Sequence, residues 1–403
     1  MSKSSAEDFP PVENVELKQF AKPVPEIKPP AALKPGVDWD GIDVEITSEI
    51  LDGPNPDWDS ILTKWGYDPK IHEIIEPVKV SQWEVLTADG TVQQLYSYKA
   101  GVRTRAGVRD NSYAELVRDI KRYRKPKREA PTGNQAFIVC LADWQLGKGD
   151  GDGVQGTVDR ILQAIDGVED RIIELRKIGR KLGTLYVVGL GDMIEGCDGQ
   201  YNSQTFTVEL NRREQIRVCR RLVRDAIMRW AKHFPEVNVV AVPGNHGENR
   251  KNGRLYTDRG DNDDVAVFEA VADIFSANEA AFGHVKFFLP ENDTSVIMDI
   301  CGTPVGFTHG HIPSGSGSPQ AKIRTWWKDM TFGNRPIGDA KILFSGHYHH
   351  LSVIEYGDKT HIQCPSMESI SEWWADLKGE VSRPGMVTCV IDENGYNDLY
   401  LVN

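Results

Sequence analysis

The chain has little that would tie it to an oxidising compartment or a membrane. Of its 403 residues only six are cysteine (Cys140, Cys197, Cys219, Cys301, Cys364 and Cys389), and no two form a CxxC pair. That spacing argues against a disulfide framework or a thiolate zinc site, so the six are read as free thiols. No apolar run approaches the ~18–20 residues a membrane span needs. Met1–Pro11 has neither the basic start nor the apolar stretch of a signal peptide. The expectation is a cytoplasmic protein with no membrane contact. Positive charge is also scarce: 47 Lys and Arg stand against 59 Asp and Glu, a net charge of −12. A balance of that sign disfavours indiscriminate polyanion binding. The cations that exist are concentrated, since residues 99 to 128 hold eleven Lys and Arg against Asp110, Glu115 and Asp119. With 40% hydrophobic and 26% charged residues, the composition suits a globular protein of two or three domains.

Four segments follow from the pattern. Residues 1–36 carry seven of the 22 prolines within the first 35 positions and little periodic apolar content, the composition of a disordered tail. Residues 37–100 are expected to form a small α+β module, with helical stretches at Asp59–Trp65 and Ile71–Ile75. Val78–Leu86 and Val92–Ala100 would form a hairpin around Ala88-Asp89-Gly90, an order compatible with a winged helix. Residues 101–133 read as a basic helix, Ser112–Tyr123, and a linker, suited either to phosphate-backbone contact or to solvation alone. From residue 134 to 403, short apolar runs alternate with long amphipathic helices. Strands are expected at Ala136–Leu141, Leu185–Leu190 and Val237–Val242, and helices at Thr157–Lys181, Val208–His233 and Asp264–Ala277. The remainder is strand-rich. The fold class is therefore α/β: a βαβ sandwich of two mixed sheets flanked by helices.

The chemistry gathers at the ends of these strands, where open α/β sheets place ligand sites. Asp143-Trp144-Gln145 follows the first strand, Gly191-Asp192-Met193-Ile194-Glu195 the second, and Gly244-Asn245-His246 the third. Thr308-His309-Gly310-His311 and Gly346-His347-Tyr348-His349 follow two later ones. A single strand-end Asp is ordinarily a turn former. Five consecutive clusters of oxygen and imidazole donors are a divalent-metal pattern.

In this order the motifs resemble the calcineurin-like metallophosphoesterase superfamily, and within it the nuclease branch and phage-encoded phosphoesterases. The resemblance covers about residues 135 to 403. It implies a metallophosphoesterase-type sandwich with one metal held by Asp143, Gln145, Asp192 and His349. A second metal would be held by Asp192, Asn245, His309 and His347, with Asp192 bridging. His246 would face the substrate phosphate, oriented by Glu195. Two divalent ions, the two aspartates and a metal-bridging hydroxide leave about one net positive charge to meet a phosphodiester. Mn²⁺ is the first expectation, with Mg²⁺, Zn²⁺ or Fe²⁺ as other candidates, because Gln145 stands where the family usually has histidine. Gly247 likewise replaces an acid that often follows the family's GNH. The phage members of the superfamily would place the chain in a host cytoplasm.

The arginines that grip phosphomonoesters in the phosphoprotein phosphatases are missing, because Gly196-Cys197 follows Glu195 and Pro243 precedes the GNH. Arg250, Lys251, Arg254 and Arg259 just beyond His246 are candidate substrate cations. Trp326-Trp327 and Trp373-Trp374 could stack bases or simply pack, and Trp144 could wall the site. The expected function is two-metal phosphodiester hydrolysis by a DNA exo- or endonuclease. The alternatives are a small-molecule (cyclic nucleotide) phosphodiesterase and a nucleic-acid-binding protein with a decayed site. DNA is the expected partner, with a homo-oligomer or a partner ATPase left open.

Overall fold

The computed structural model describes residues 36–39, 44–64, 67, 69, 72–86, 90–104, 113–124, 131–201, 204–251, 254–255, 257–369 and 382–403. The proline-rich tail, Ala88-Asp89, most of the basic linker and Trp373-Trp374 lie outside them. Two compact units divide the chain near residue 104.

In the first unit, β1 (Gly36–Trp39), β2 (Val44–Thr47), β3 (His72–Leu86) and β4 (Val92–Thr104) form one sheet in the order β1-β2-β4-β3. Helix α1 (Trp58–Lys64) buries Ile61 and Leu62 with Val102. The helix expected at Ile71–Ile75 is instead the start of β3. Its Ile74-Ile75 run, followed by Val78 and Val80, is β-branched sequence that favours extended backbone. The strand is longer than the hairpin arm expected there.

The second unit is a four-layer sandwich. Its chain order begins α2 (Tyr113–Arg122), β5 (Gln135–Leu141), α3 (Gly153–Lys177), β6 (Leu182–Gly189), α4 (Gln204–Thr207), α5 (Arg212–Ala231) and β7 (Glu236–Ala241). It continues through the two-residue strands β8 (Arg250–Lys251) and β9 (Arg254–Leu255), then α6 (Asp263–Ser276), α7 (Glu279–Phe282) and β10 (Val285–Phe288). The rest is β11 (Ser295–Ile300), β12 (Thr303–Thr308), α8 (Pro319–Phe332), β13 (Ile342–Ser345), β14 (Ser352–Tyr356), β15 (Lys359–Gln363), β16 (Met386–Asp392) and β17 (Gly395–Val402).

One sheet runs β10-β7-β6-β5-β16-β17, the other β11-β12-β13-β15-β14. In the first, parallel β10, β7, β6 and β5 are followed on one side by antiparallel β16 and β17; in the second, parallel β12, β13 and β15 are flanked by antiparallel β11 and β14. Alternation along β5 decides the layers. Ala136, Ile138 and Cys140 face Phe307 and Phe344 of the other sheet, while Phe137, Val139 and Leu141 join the helix-side core of α3, α5 and α6. Each fully buried apolar side chain of this kind contributes ~1.5–3 kcal/mol. Outside the second sheet, α8 seats Ile323 and Trp327 on Leu343. The expected architecture of two mixed sheets flanked by helices is what the chain adopts. Among the described residues no helix is long and apolar enough to cross a membrane.

Candidate metal centre

All five strand-end clusters leave the carboxyl ends of parallel strands β5, β6, β7, β12 and β13, so the sandwich brings them to one edge. Two glycines allow the loops to meet. A Cβ on Gly244 would lie 2.2 Å from Asp192 Oδ1, and one on Gly346 2.5 Å from Asp143 Oδ2. The loops after β5 and β6 travel together, with Gln145 N–H donating to the Asp192 carbonyl at 2.9 Å and Glu195 N–H to that of Leu146 at 3.1 Å. To turn their side chains inward, Asp143, Gln145, Asp192, His347 and His349 all take positive φ, between 39° and 72°. Asp and His tolerate this region better than most residues, but none is free of strain there.

One half of the site closes on Asp192. His309 Nε2 lies 2.9 Å from Asp192 Oδ2 and 3.1 Å from Asn245 Oδ1, and its Nδ1 is 2.7 Å from the Leu190 carbonyl. The Nδ1 proton is therefore committed to Leu190, which turns Nε2 toward two acceptor oxygens. Ligand atoms of Asp192, His309 and His347 all lie within 4.8 Å of each other. Asn245 is oriented by Gln200, whose Oε1 accepts from its Nδ2 at 3.2 Å.

The other half forms around Asp143, which is fully buried and accepts the His347 N–H through both carboxylate oxygens at 2.9 and 3.1 Å. His349 Nε2 approaches Asp143 Oδ1 at 3.3 Å, and its Nδ1 donates to Glu368 Oε1 at 2.6 Å. Glu368 is paired in turn with Lys148. A carboxylate behind a ligating histidine fixes its tautomer and raises its basicity. Gln145 Oε1 is buried with no hydrogen-bond partner, while its Nε2 sits 3.2 Å from His246 Nε2.

His246 stands beside both halves. Its N–H donates to Asp192 Oδ1 at 2.8 Å, and its Nδ1 faces the Glu195 carbonyl at 2.7 Å and carboxylate at 3.3 Å. Tyr201 hydroxyl donates to Glu195 Oε1 at 2.6 Å. Burial alone would lower His246 and His309, but the Asp192 charge overrides it and both are raised to about 9. Burial and the charge of His309 press His347 down to about 2. Raised in this way, the His246 and His309 imidazoles favour holding a proton. A proton on His309 Nε2 must be shared between Asp192 and Asn245, and one on His246 Nε2 confronts the NH₂ of Gln145. Divalent cations suit the same atoms better. They would take the acceptors of both halves together with the orphaned Gln145 oxygen, and they would let neutral His246 accept from Gln145. The donor set of Asp192, His309 and His347 fits a divalent metal.

The structure thus brings Asp143, Gln145, Asp192, Asn245, His246, His309, His347, His349 and Glu195 to one place. His311 lies beside Glu248, its Nε2 at 3.5 Å from Oε1. Of the candidate substrate cations, Arg250 is tied to Glu248 by contacts of 2.5 and 2.6 Å, while Lys251, Arg254 and Arg259 are exposed. Trp144, expected to wall the site, instead turns into the helix-side core and is fully buried. Trp327 packs under α8 and donates Nε1–H to the Ile337 carbonyl at 3.1 Å.

Sequence reading missed Glu368, Lys148 and Asp264. Asp264 is buried at the start of α6 and accepts N–H groups of Asp192, Met193 and Gly244 at 2.8, 2.9 and 3.0 Å, clamping the β6 and β7 loops together.

No protein-family profile matches the chain, and no curated protein matches it. Among solved structures, it is similar to a predicted phosphoesterase from Streptococcus pneumoniae TIGR4 (14% identity, 66% of this chain and 90% of that one, TM-score 0.29). A novel archaeal phosphodiesterase shares 13% identity over 66% of this chain and 99% of its own, with a TM-score of 0.29. A Zn²⁺ complex of Vps29 from Entamoeba histolytica gives 11%, 66%, 99% and 0.28 in the same terms. The functional reading below rests on the residues of this chain.

Proposed function

We propose that the chain is a two-metal phosphodiester hydrolase whose substrate is DNA. The observation that carries the reading is the convergence of Asp192 Oδ2, Asn245 Oδ1 and His309 Nε2, three ligand atoms with at most one proton to share, beside a second set with the unpartnered Gln145 Oε1. Asp143, Gln145, Asp192 and His349 would hold one ion, and Asp192, Asn245, His309 and His347 the other. Bound there, a metal pair supplies Lewis-acid charge for the phosphoryl oxygens and a water acidic enough to attack at neutral pH. The oxygen donors of Gln145 and Asn245 favour Mn²⁺.

The chain's own residues do the rest. Asp192 fixes the spacing of the two halves, and Asp264 fixes Asp192. Glu368 and Lys148 hold His349 in one tautomer. His246, with Nδ1 turned to Glu195, presents Nε2 to the site. From there it stabilises charge on the leaving oxygen, or protonates it, as the phosphorus–oxygen bond breaks. Lys251, Arg254 and Arg259, exposed on the segment after His246, support a polyanionic substrate over a small one.

The test is hydrolysis of single- and double-stranded DNA by the purified protein with Mn²⁺ and then with chelator, beside a chromogenic phosphodiester. DNA cleavage that chelator abolishes is the expected result. Cleavage of the small diester alone would transfer the reading to nucleotide substrates, and turnover unaffected by chelator would overturn it.

A further inference from the structure

Away from the metal centre, an open groove of about 530 Å³ is lined by Tyr113 of α2 and by Arg212, Arg213, Ile216, Arg217 and Arg220 of α5. We infer that this groove is a binding site for the phosphate backbone of DNA, feeding a strand toward the centre described above. The inference rests on the proposed phosphodiesterase reading for its substrate.

Four of the six lining residues are arginine, in a chain whose net charge is −12. Asp263 takes Arg212 through two bonds of 2.5 and 2.7 Å. Arg213 and Arg217 have no carboxylate within ion-pair distance among the described residues. Arg220 lies over the Tyr113 ring, 5.4 Å from its centroid. Burial and then the neighbouring charge of Arg217 lower Arg220 from its ordinary value. Arginine suits the role better than lysine, because its planar fork meets phosphate through paired hydrogen bonds.

The dimensions and the connection to the centre agree. Arg212 to Arg220 is eight helical steps, ~12 Å of axis, room for about three phosphates of one strand at ~3.4 Å each. The same helix is bonded to the catalytic loop: Gln215 Nε2 donates to the Gly196 carbonyl at 2.9 Å and its Oε1 accepts the Gly196 N–H at 2.9 Å. Gly196 directly follows Glu195. On its other side, the groove is entered by α2, which belongs to the basic stretch of residues 99–128.

The experiment uses the full chain and a labelled oligonucleotide, single- and double-stranded, in chelator, with binding followed by fluorescence anisotropy across a salt series. R213E/R217E should weaken binding about tenfold or more and flatten the slope of log Kd against log salt by about 1.8 for duplex or about 1.4 for single strands. Its hydrolysis of a chromogenic diester with Mn²⁺ should match wild type. If charge reversal disturbs folding, seen by circular dichroism, R213Q/R217Q should give the same loss of slope. Unchanged affinity and slope in the folded variant, or no binding of DNA by the wild type, would overturn the groove. Hydrolysis of the diester without DNA binding would leave the hydrolase standing and the groove not. Binding through the groove without any hydrolysis would leave the groove standing and the hydrolase not.

Discussion

Two places in the second unit bury ionisable groups, and they balance them differently. Between α3 and α5, Glu169 receives Arg229 at 2.6 Å, Lys232 at 3.0 Å and His233 at 2.6 Å, so each carboxylate oxygen has a donor within the chain. At the metal centre, Asp192 Oδ2, Asn245 Oδ1 and His309 Nε2 have at most one proton among them, and Gln145 Oε1 has no partner. A cluster that satisfies itself is structural. One that is short of donors is built for a cation from outside, because unpaired buried charge is otherwise too costly to keep.

The contrast is most exposed to Asp192→Ala. Loss of the carboxylate that would serve both ions should strip most bound metal and reduce hydrolysis by on the order of a hundred- to a thousandfold, given that removing one preorganised group costs ~10²–10³. Elemental analysis alongside rate measurement checks both halves of the statement. Glu169→Gln should leave metal content untouched. A D192A protein that retained two ions at full rate would erase the distinction.

Acid should act on the other cluster. Burial alone would raise Glu169, but His233, Arg229 and Lys232 hold it down at about 2 against an ordinary 4.5. A folded-state value below the unfolded one contributes stability above pH 4.5 that is lost as pH falls toward 2, at most about 3 kcal/mol. Urea melts across that window should show the decline in wild type and a flatter profile in Glu169→Gln. Equal profiles would mean that the ion pairs around Glu169 contribute nothing net.

Within the centre, Glu368→Gln should weaken the ion on the His349 side by about 10–100-fold while sparing the His309 side, as read by metal titration. Equal loss on both sides would make Glu368 a general scaffold. The smallest effect is expected from Gln145→His, which should raise Zn²⁺ affinity roughly tenfold. No change there would make Gln145 a loop amide outside the metal's reach.

Much of the fold and most of the site were legible because strand-end motifs are local. Asp143, Asp192, Asn245, His309 and His347 each come just after a short apolar run, and parallel topology then carries them to one edge. What escaped was either masked locally or determined at long range. Asp264 hides in the run Asp261-Asn262-Asp263-Asp264, which reads as a helix cap, and Asn262 does cap α6 by accepting from Asp264 N–H at 2.9 Å. Glu368 has no motif of its own, and only the fold brings it to His349, nineteen positions earlier. Helix α8 was missed because only Ile323 and Trp327 of its fourteen residues are buried, too thin a stripe to announce a period. β17 buries fully only Val402. In the first unit, Ile71–Ile75 was misassigned because a short apolar run has no period of its own, and pairing in the sheet decided it.

The five inward-turned residues with positive φ have a further consequence. Glycine would adopt the backbone of Asp143, Gln145, Asp192, His347 or His349 without strain, and each larger side chain there costs of order 1 kcal/mol or more. At Gln145, whose side-chain oxygen has no partner, glycine would be an improvement for a chain that only had to stay folded, as it is wherever function and stability pull apart. That the sequence keeps two aspartates, a glutamine and two histidines in backbone that disfavours them weighs against a centre abandoned by selection. It also marks Gln145 as the place where a glycine variant should melt later than the parent.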